Sequence, residues 1–213
     1  MGLIGRQFGH PSGLPGKVAG GLMALGNKAF NLAVAARLTE LAGNPRYIVE
    51  VGCGPGVGLA ALLERFPDAR VFGVDLSPEM LAQSQARNAD AVRSGRLTLR
   101  NGGADQVNQI HLCEGPADLV VAVHVLYFWH QPVDVLSRLR GSVAQGGLLA
   151  LGYRCRQDMP PPARRDFPRE GHQLYEFESQ VRDLFSAAGY QPARSARIDG
   201  PRAYLGWLTT AAP

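Results

Sequence analysis

Two carboxylates and a run of glycines stand nearest to chemistry in this chain. Residues 47–58 read Tyr47-Ile48-Val49-Glu50-Val51-Gly52-Cys53-Gly54-Pro55-Gly56-Val57-Gly58. An apolar run ends in an acid, then turns into a loop with glycine at every second position. Lacking Cβ, such a backbone passes close beneath a ligand. About twenty residues on, Val71-Phe72-Gly73-Val74 ends in a second acid, Asp75. An acid at that distance, closing the second strand, can accept both hydrogens of a ribose diol. Together these residues describe a nucleoside site at the carboxyl edge of a parallel sheet.

The elements that must position them alternate. After a Gly- and Pro-rich start through residue 16, expected to be irregular, residues 17–41 carry a broad apolar helical face with a break expected near Gly26-Asn27. Strands are expected at 47–51, 71–75, 97–99, 117–123 and 148–153. Helices are expected at 58–66, at 77–94 from a Ser77-Pro78 start, weakly at 105–113, at 131–144 and at 177–188. Two further strands, near 193–198 and 203–208, flank Asp199-Gly200-Pro201, a hairpin signal. This order predicts one α/β domain, a Rossmann-like three-layer sandwich with a seven-stranded, mostly parallel sheet and an antiparallel last strand. Residues 1–45 are expected to form a helical N-terminal extension or cap and 46–213 the main domain, with a cover over 154–174, where Arg154, Arg156, Arg164, Arg165 and Arg169 stand among prolines.

Composition narrows the class. The 213 residues are 46% apolar and carry a formal charge of +4, nearly all of the positive charge being scattered arginine. That scatter reads as a solvated surface rather than a nucleic-acid face. Three distant cysteines, 53, 113 and 155, form no metal-binding pattern, and with no signal-peptide pattern they predict a reduced, cytoplasmic chain. The longest apolar run, at 119–129, is too short to span a bilayer.

Five features in order resemble the class I S-adenosylmethionine-dependent methyltransferases, in particular the small-molecule group related to the ubiquinone/menaquinone methyltransferases. They are the Glu50-x-Gly52-x-Gly54-x-Gly56 loop, the acid Asp75, Ala117-Asp118-Leu119-Val120, Gln145-Gly146-Gly147-Leu148 and Ala187-Ala188-Gly189-Tyr190. The resemblance covers about residues 46–190. It implies S-adenosyl-L-methionine as cofactor and a small-molecule acceptor, with O or N receiving the methyl group. It implies no nucleic acid, metal or membrane, and leaves the oligomeric state open. Asp75 is expected to hold the ribose, and Glu50, Gly52, Gly54 and Gly56 the methionine end. Leu76 and Met80 are expected to wall the adenine. The loop after the third strand, Gly102-Gly103-Ala104-Asp105, departs from the family's G-D-A: Gly103 stands where the adenine-binding Asp belongs, and Asp105 is the candidate substitute.

Methyl transfer from a sulfonium is a direct displacement, so the protein mainly aligns groups and excludes water. By resemblance, the segment after the fourth strand lies near the methyl group. There His124 is the candidate base, with cofactor contact as its alternative, and Tyr127 the candidate for orienting substrate. Phe128 and Trp129 read as core, His130 as an exposed cap residue, Asp118 as a strand-end support and Cys53 as a small loop residue. His172, Tyr175 and Phe8 are candidates for the acceptor pocket.

Three rivals remain. A nicotinamide oxidoreductase needs G-x-G-x-x-G directly after the strand, and counted from Gly52 the last glycine falls on Val57. Methylases of exocyclic base nitrogens resemble one another in N-P-P-Y after the fourth strand, where this chain has His124-Val125-Leu126-Tyr127. A member of the fold that binds the cofactor without turnover would keep Glu50 and Asp75.

Overall fold

Strand alternation decides which side chains reach which layer. In the computed structural model, residues 13–107, 115–159, 164, 173–198 and 206–213 are described, 13–26 by backbone alone. Seven strands, β1 (Tyr47–Val51), β2 (Arg70–Asp75), β3 (Leu97–Asn101), β4 (Ala117–Val123), β5 (Val143–Tyr153), β6 (Arg194–Ile198) and β7 (Gly206–Ala211), form one sheet in the order β3-β2-β1-β4-β5-β7-β6. The first five are parallel, and β7 runs antiparallel between β5 and β6. The expected three-layer sandwich is what the chain adopts.

On one face, Ile48, Val71, Leu119, Val121, Ala150 and Leu208 pack under Phe30, Val34 and Leu38 of α1 (Gly13–Leu41) and Leu59, Leu62 and Leu63 of α2 (Val57–Arg65). On the other, Val49, Val51, Val74, Val120, Ala122 and Leu151 meet Leu136 and Leu139 of α5 (Pro132–Arg140) and Val181 and Phe185 of α6 (Glu178–Ala187). Between β2 and β3 lie α3 (Pro78–Arg87) and α4 (Ala89–Arg93). The strand order reverses between β1 and β4, which opens a crevice at their carboxyl ends, the usual ligand position in such sheets.

Some boundaries differ from the sequence expectation. Helix α1 starts at Gly13, inside the stretch expected to be irregular, and runs unbroken through Gly26-Asn27. Glycine in a helix costs about 1 kcal/mol against alanine, a cost that the burial of Phe30, Val34 and Leu38 offsets. The expected helix over 77–94 divides at Asn88, whose side-chain amide donates to Gly56 O and Ser84 O at 3.1 and 3.0 Å. Helix α5 ends at Arg140, and β5 begins at Val143, five residues ahead of the expected 148, with an irregularity against β4 between Ala117 and Leu119. Strand β7 lies three residues later than expected; the turn at 199–201 falls outside the described residues. Only a short 3-10 turn, Ala104–Gln106, marks the start of the weak helix, whose residues 108–113 are likewise outside. Among the described residues no helix is long and apolar enough to cross a membrane.

Candidate active site

The loop that leaves β1 is shaped by left-handed glycines. Gly52 has φ 70°, and a side chain there would run into Val125, in the segment that follows β4. Gly54, at φ 52°, donates its N–H to Asp75 Oδ2 at 2.7 Å, while Ser77 N–H donates to Oδ1 at 2.9 Å. Two backbone donors from different loops therefore fix the Asp75 rotamer at the rim. Ser77 also caps α3, its Oγ accepting Met80 N–H at 3.3 Å. The cap and the acid's position are thus one local structure.

Beside Asp75, Leu76 is 56% exposed, an apolar side chain standing in the cleft, and Met80 forms its buried floor. The loop after β3 meets them. A Cβ at Gly103 would stand 2.5 Å from Asp105 Oδ1. The Asp105 carboxylate thus fills the space that an Asp at 103 would enter, reaching it from two residues along.

Glu50 is 3% exposed. Alternation along β1 turns it toward α1 and α2, and its Oε1 lies against the Gly58 Cα hydrogens, where any Cβ would collide with it. Its Oε2 is buried without a hydrogen-bond partner. Burial, with the charge of Asp75 adding, pushes the carboxyl up to about 8. A buried acid with an unanswered oxygen thus lies in the cleft, and a cation brought beside it would favour its ionised form. Cys53 lies close by, its thiol buried and pushed well up, which agrees with a loop residue and not a nucleophile.

His124 follows β4 with φ 60°, rare for a residue with a Cβ. Its N–H donates to Gly152 O at 2.8 Å, and its ring stacks on Phe30 of α1 with centroids 4.6 Å apart. Its Nε2 is buried without a partner. Burial, with the Arg154 guanidinium adding, lowers the imidazole to about 3.

All of these groups line one cleft of about 450 Å³: Glu50, Gly52, Gly54, Asp75, Leu76, Met80, Gly103, Ala104, Asp105 and His124. Three residues of the sequence reading fall elsewhere. Gly56, with φ 79°, is pressed against Ser84 and Asn88 and serves to seat the loop on α3. Tyr127 is a core residue, 3% exposed; its hydroxyl accepts the Arg154 N–H at 2.5 Å and lies 3.2 Å from Arg154 O. It braces the end of β5 and does not reach the cleft, because the 3-10 turn Leu126–Phe128 rotates it inward while Phe128 faces the opening. Tyr175 is buried in the core, and Phe8 and His172 lie outside the described residues. Asp118 accepts the Arg46 and Tyr47 N–H groups at 2.7 and 3.0 Å, a strand-end support as expected.

The sequence reading missed Asn27 and Asn31 of α1, and Asp134 and Arg138 of α5, all of which line the cleft. For the asparagines a signal was present: two amides one helical turn apart on an otherwise apolar face. Among the described residues, no group of three or more His, Cys, Asp or Glu gathers in a metal-binding arrangement.

Comparison with known proteins agrees with this geometry. Residues 49–149 match the model of a methyltransferase domain. A trans-aconitate 2-methyltransferase of Streptomyces avermitilis is 34% identical over 125 residues, 59% of this chain and 45% of that protein. One from Methylobacterium nodulans is 30% identical over 167 residues, 78% and 57% of the two chains. The chain thus spans about half the length of these curated relatives. Among solved structures, the fold is similar to magnesium protoporphyrin IX methyltransferase from Synechocystis with bound SAH (TM-score 0.66, 19% identity, 94% of this chain and 87% of that one). It is also similar to human N-acetylserotonin methyltransferase in complex with SAM (TM-score 0.68, 14% identity, 93% and 55%).

Proposed function

We propose that this chain is a class I S-adenosylmethionine-dependent methyltransferase that moves a methyl group to an oxygen of a small organic acceptor. The observation that carries this is Asp75, fixed by Gly54 and Ser77 at the edge of a cleft whose far end holds the unanswered Glu50 carboxyl. These residues fit an adenosyl sulfonium with an amino-acid tail. When bound, S-adenosylmethionine supplies an electrophilic methyl group with its own leaving group. Asp75 accepts the two ribose hydroxyls, and Leu76 and Met80 flank the adenine. Asp105 takes the adenine amine from the position that Gly103 leaves open. Glu50 receives the ammonium group.

His124 stands at the acceptor side of the cleft. With its conjugate acid lowered to about 3 by burial and by Arg154, the imidazole is a weak base for an alcohol proton. We therefore assign His124 to orienting the reactants as a neutral imidazole, and read the acceptor as an oxygen acid that arrives ionised. The trans-aconitate in the names of the sequence relatives is of this kind. We read the chain as cytoplasmic, with Cys53 and Cys155 buried and unbridged, and as acting without a nucleic-acid partner.

The test is a methyl-transfer assay over a panel of carboxylic acids, phenols, amines and RNA, read by mass spectrometry. Methylated oxygen acids are expected. Methylated RNA would contradict the reading, and cofactor binding without any product would make the chain a non-catalytic member of the fold.

A further inference from the structure

His124 takes a backbone conformation that a residue with a Cβ seldom adopts, φ 60°, and such a residue persists where its surroundings hold it. Its main chain is tied to β5 through the bond to Gly152 O. Its side chain is held from α1: the Phe30 ring lies against the imidazole, centroids 4.6 Å apart and planes 29° from parallel. Phe30 is fully buried, and its position is set from β5 and β7. A Cβ at Gly152 of β5 would stand 3.3 Å from Phe30 Cε1, closer than ordinary van der Waals contact. A Cβ at Gly206, the first residue of β7, would overlap Phe30 Cε2 and Cζ. Two glycines on neighbouring strands thus leave a slot that the ring fills. The Arg154 guanidinium rides over the same ring, 5.7 Å from its centroid. Close-packed interiors transmit displacement, so a ring pushed out of this slot carries the stacked imidazole with it.

We infer that Phe30 is a positioning residue for the methyl transfer: seated in the slot that Gly152 and Gly206 keep open, its ring holds His124 at the acceptor side of the cleft. This rests on the orienting role given to His124 above and extends it to α1 and β7. Neither Phe30 nor Gly206 is among the residues that line the cleft, so their effect on the reaction passes through the imidazole.

The test uses Phe30→Leu, which removes the ring, Gly206→Ala, which crowds it, and the double variant. Three quantities are read on the full chain: affinity for S-adenosylhomocysteine by calorimetry, the NMR shifts of the His124 ring protons, and turnover with the oxygen acid that the wild type methylates best. In the wild type those protons are expected to carry ring-current shifts and to show close contacts to Phe30. Each single variant is expected to move the shifts, to keep S-adenosylhomocysteine affinity within about twofold and to lower turnover by about tenfold, as displacement of a positioned group does. Once the ring is gone, Gly206→Ala is expected to add no further loss of turnover, because the two residues act on one contact. Unmoved shifts, or a wild type without the Phe30 contacts, would overturn the inference. Moved shifts with unchanged turnover, or additive losses in the double variant, would overturn it too. Equal losses of turnover and of S-adenosylhomocysteine affinity would make Phe30 a purely structural residue. A wild type that binds S-adenosylhomocysteine and methylates no oxygen acid would instead overturn the proposed reaction, and the His124 shifts would still decide whether Phe30 seats the imidazole.

Discussion

At Asp75 each carboxylate oxygen accepts one backbone N–H, from Gly54 and from Ser77, so the acid is held in place before any sugar arrives. On the proposed function, replacing it would remove two charge-assisted contacts to the ribose. Asp75→Ala is expected to weaken S-adenosylmethionine by about 1.5–3 kcal/mol, measured by calorimetry. Unchanged affinity would remove Asp75 from the site. Glu50 makes a pH prediction with a definite sign. Its folded value, about 8, lies above the 4.5 of an ordinary carboxyl, so the free protein holds its proton at neutral pH. A cationic tail favours the ionised form and releases that proton. Cofactor affinity should therefore rise between about pH 6 and 8, and Glu50→Gln should flatten that rise. The same shift makes this group's contribution to folding stability greatest below the ordinary value and lost as pH climbs through the folded one. At His124 the prediction concerns shape. With the imidazole near 3, turnover should show no limb in the range where an unperturbed histidine titrates. His124→Ala should lower turnover more than it weakens cofactor binding. A profile that follows a group near 6.5, lost in His124→Ala, would restore it as a base.

At the scale of elements, the glycine loop is held from below by α3. The Asn88 amide binds Gly56 O and Ser84 O, and Arg87 Nε donates to Pro55 O at 2.9 Å. Asn88→Ala removes both amide contacts, leaving Gly56 O with the Ala60 N–H and Ser84 O with the residue 88 backbone N–H, and should cost about 0.5–1.5 kcal/mol in urea unfolding. Its second effect should be weaker cofactor binding, because the loop that positions Gly54 loses its anchor. These couplings also explain what could be read in advance. The Glu50–Gly58 loop and Asp75 were legible because a strand end, a tight turn and an acid at fixed spacing are local features. Gly56 fitted the same motif, yet its space is filled by Ser84 and Asn88, which only the packing of α3 reveals. Tyr127 was misplaced for a similar reason: one residue of rotation in the turn after β4 decides whether Tyr127 or Phe128 faces the cleft. Asn31 went unseen because only the packing of α1 beside the sheet brings it to the cleft that Glu50 lines.

Over the whole molecule, the parallel order and the antiparallel β7 followed from the alternation of helical and strand patterns. The strand limits shifted where glycines that read as a turn, Gly146-Gly147, were absorbed into β5. The sheet brings β1, β2 and β4 together so that Glu50, Asp75 and His124 open on one cleft, and α1 lines its side with Asn27 and Asn31. Nothing in this arrangement has meaning unless the cleft takes an adenosyl group with a cationic tail. Isothermal titration of the full chain with S-adenosylmethionine measures this directly. The account predicts saturable, one-site binding that Asp75→Ala weakens. Absence of binding, together with saturation by a nicotinamide dinucleotide, would contradict it.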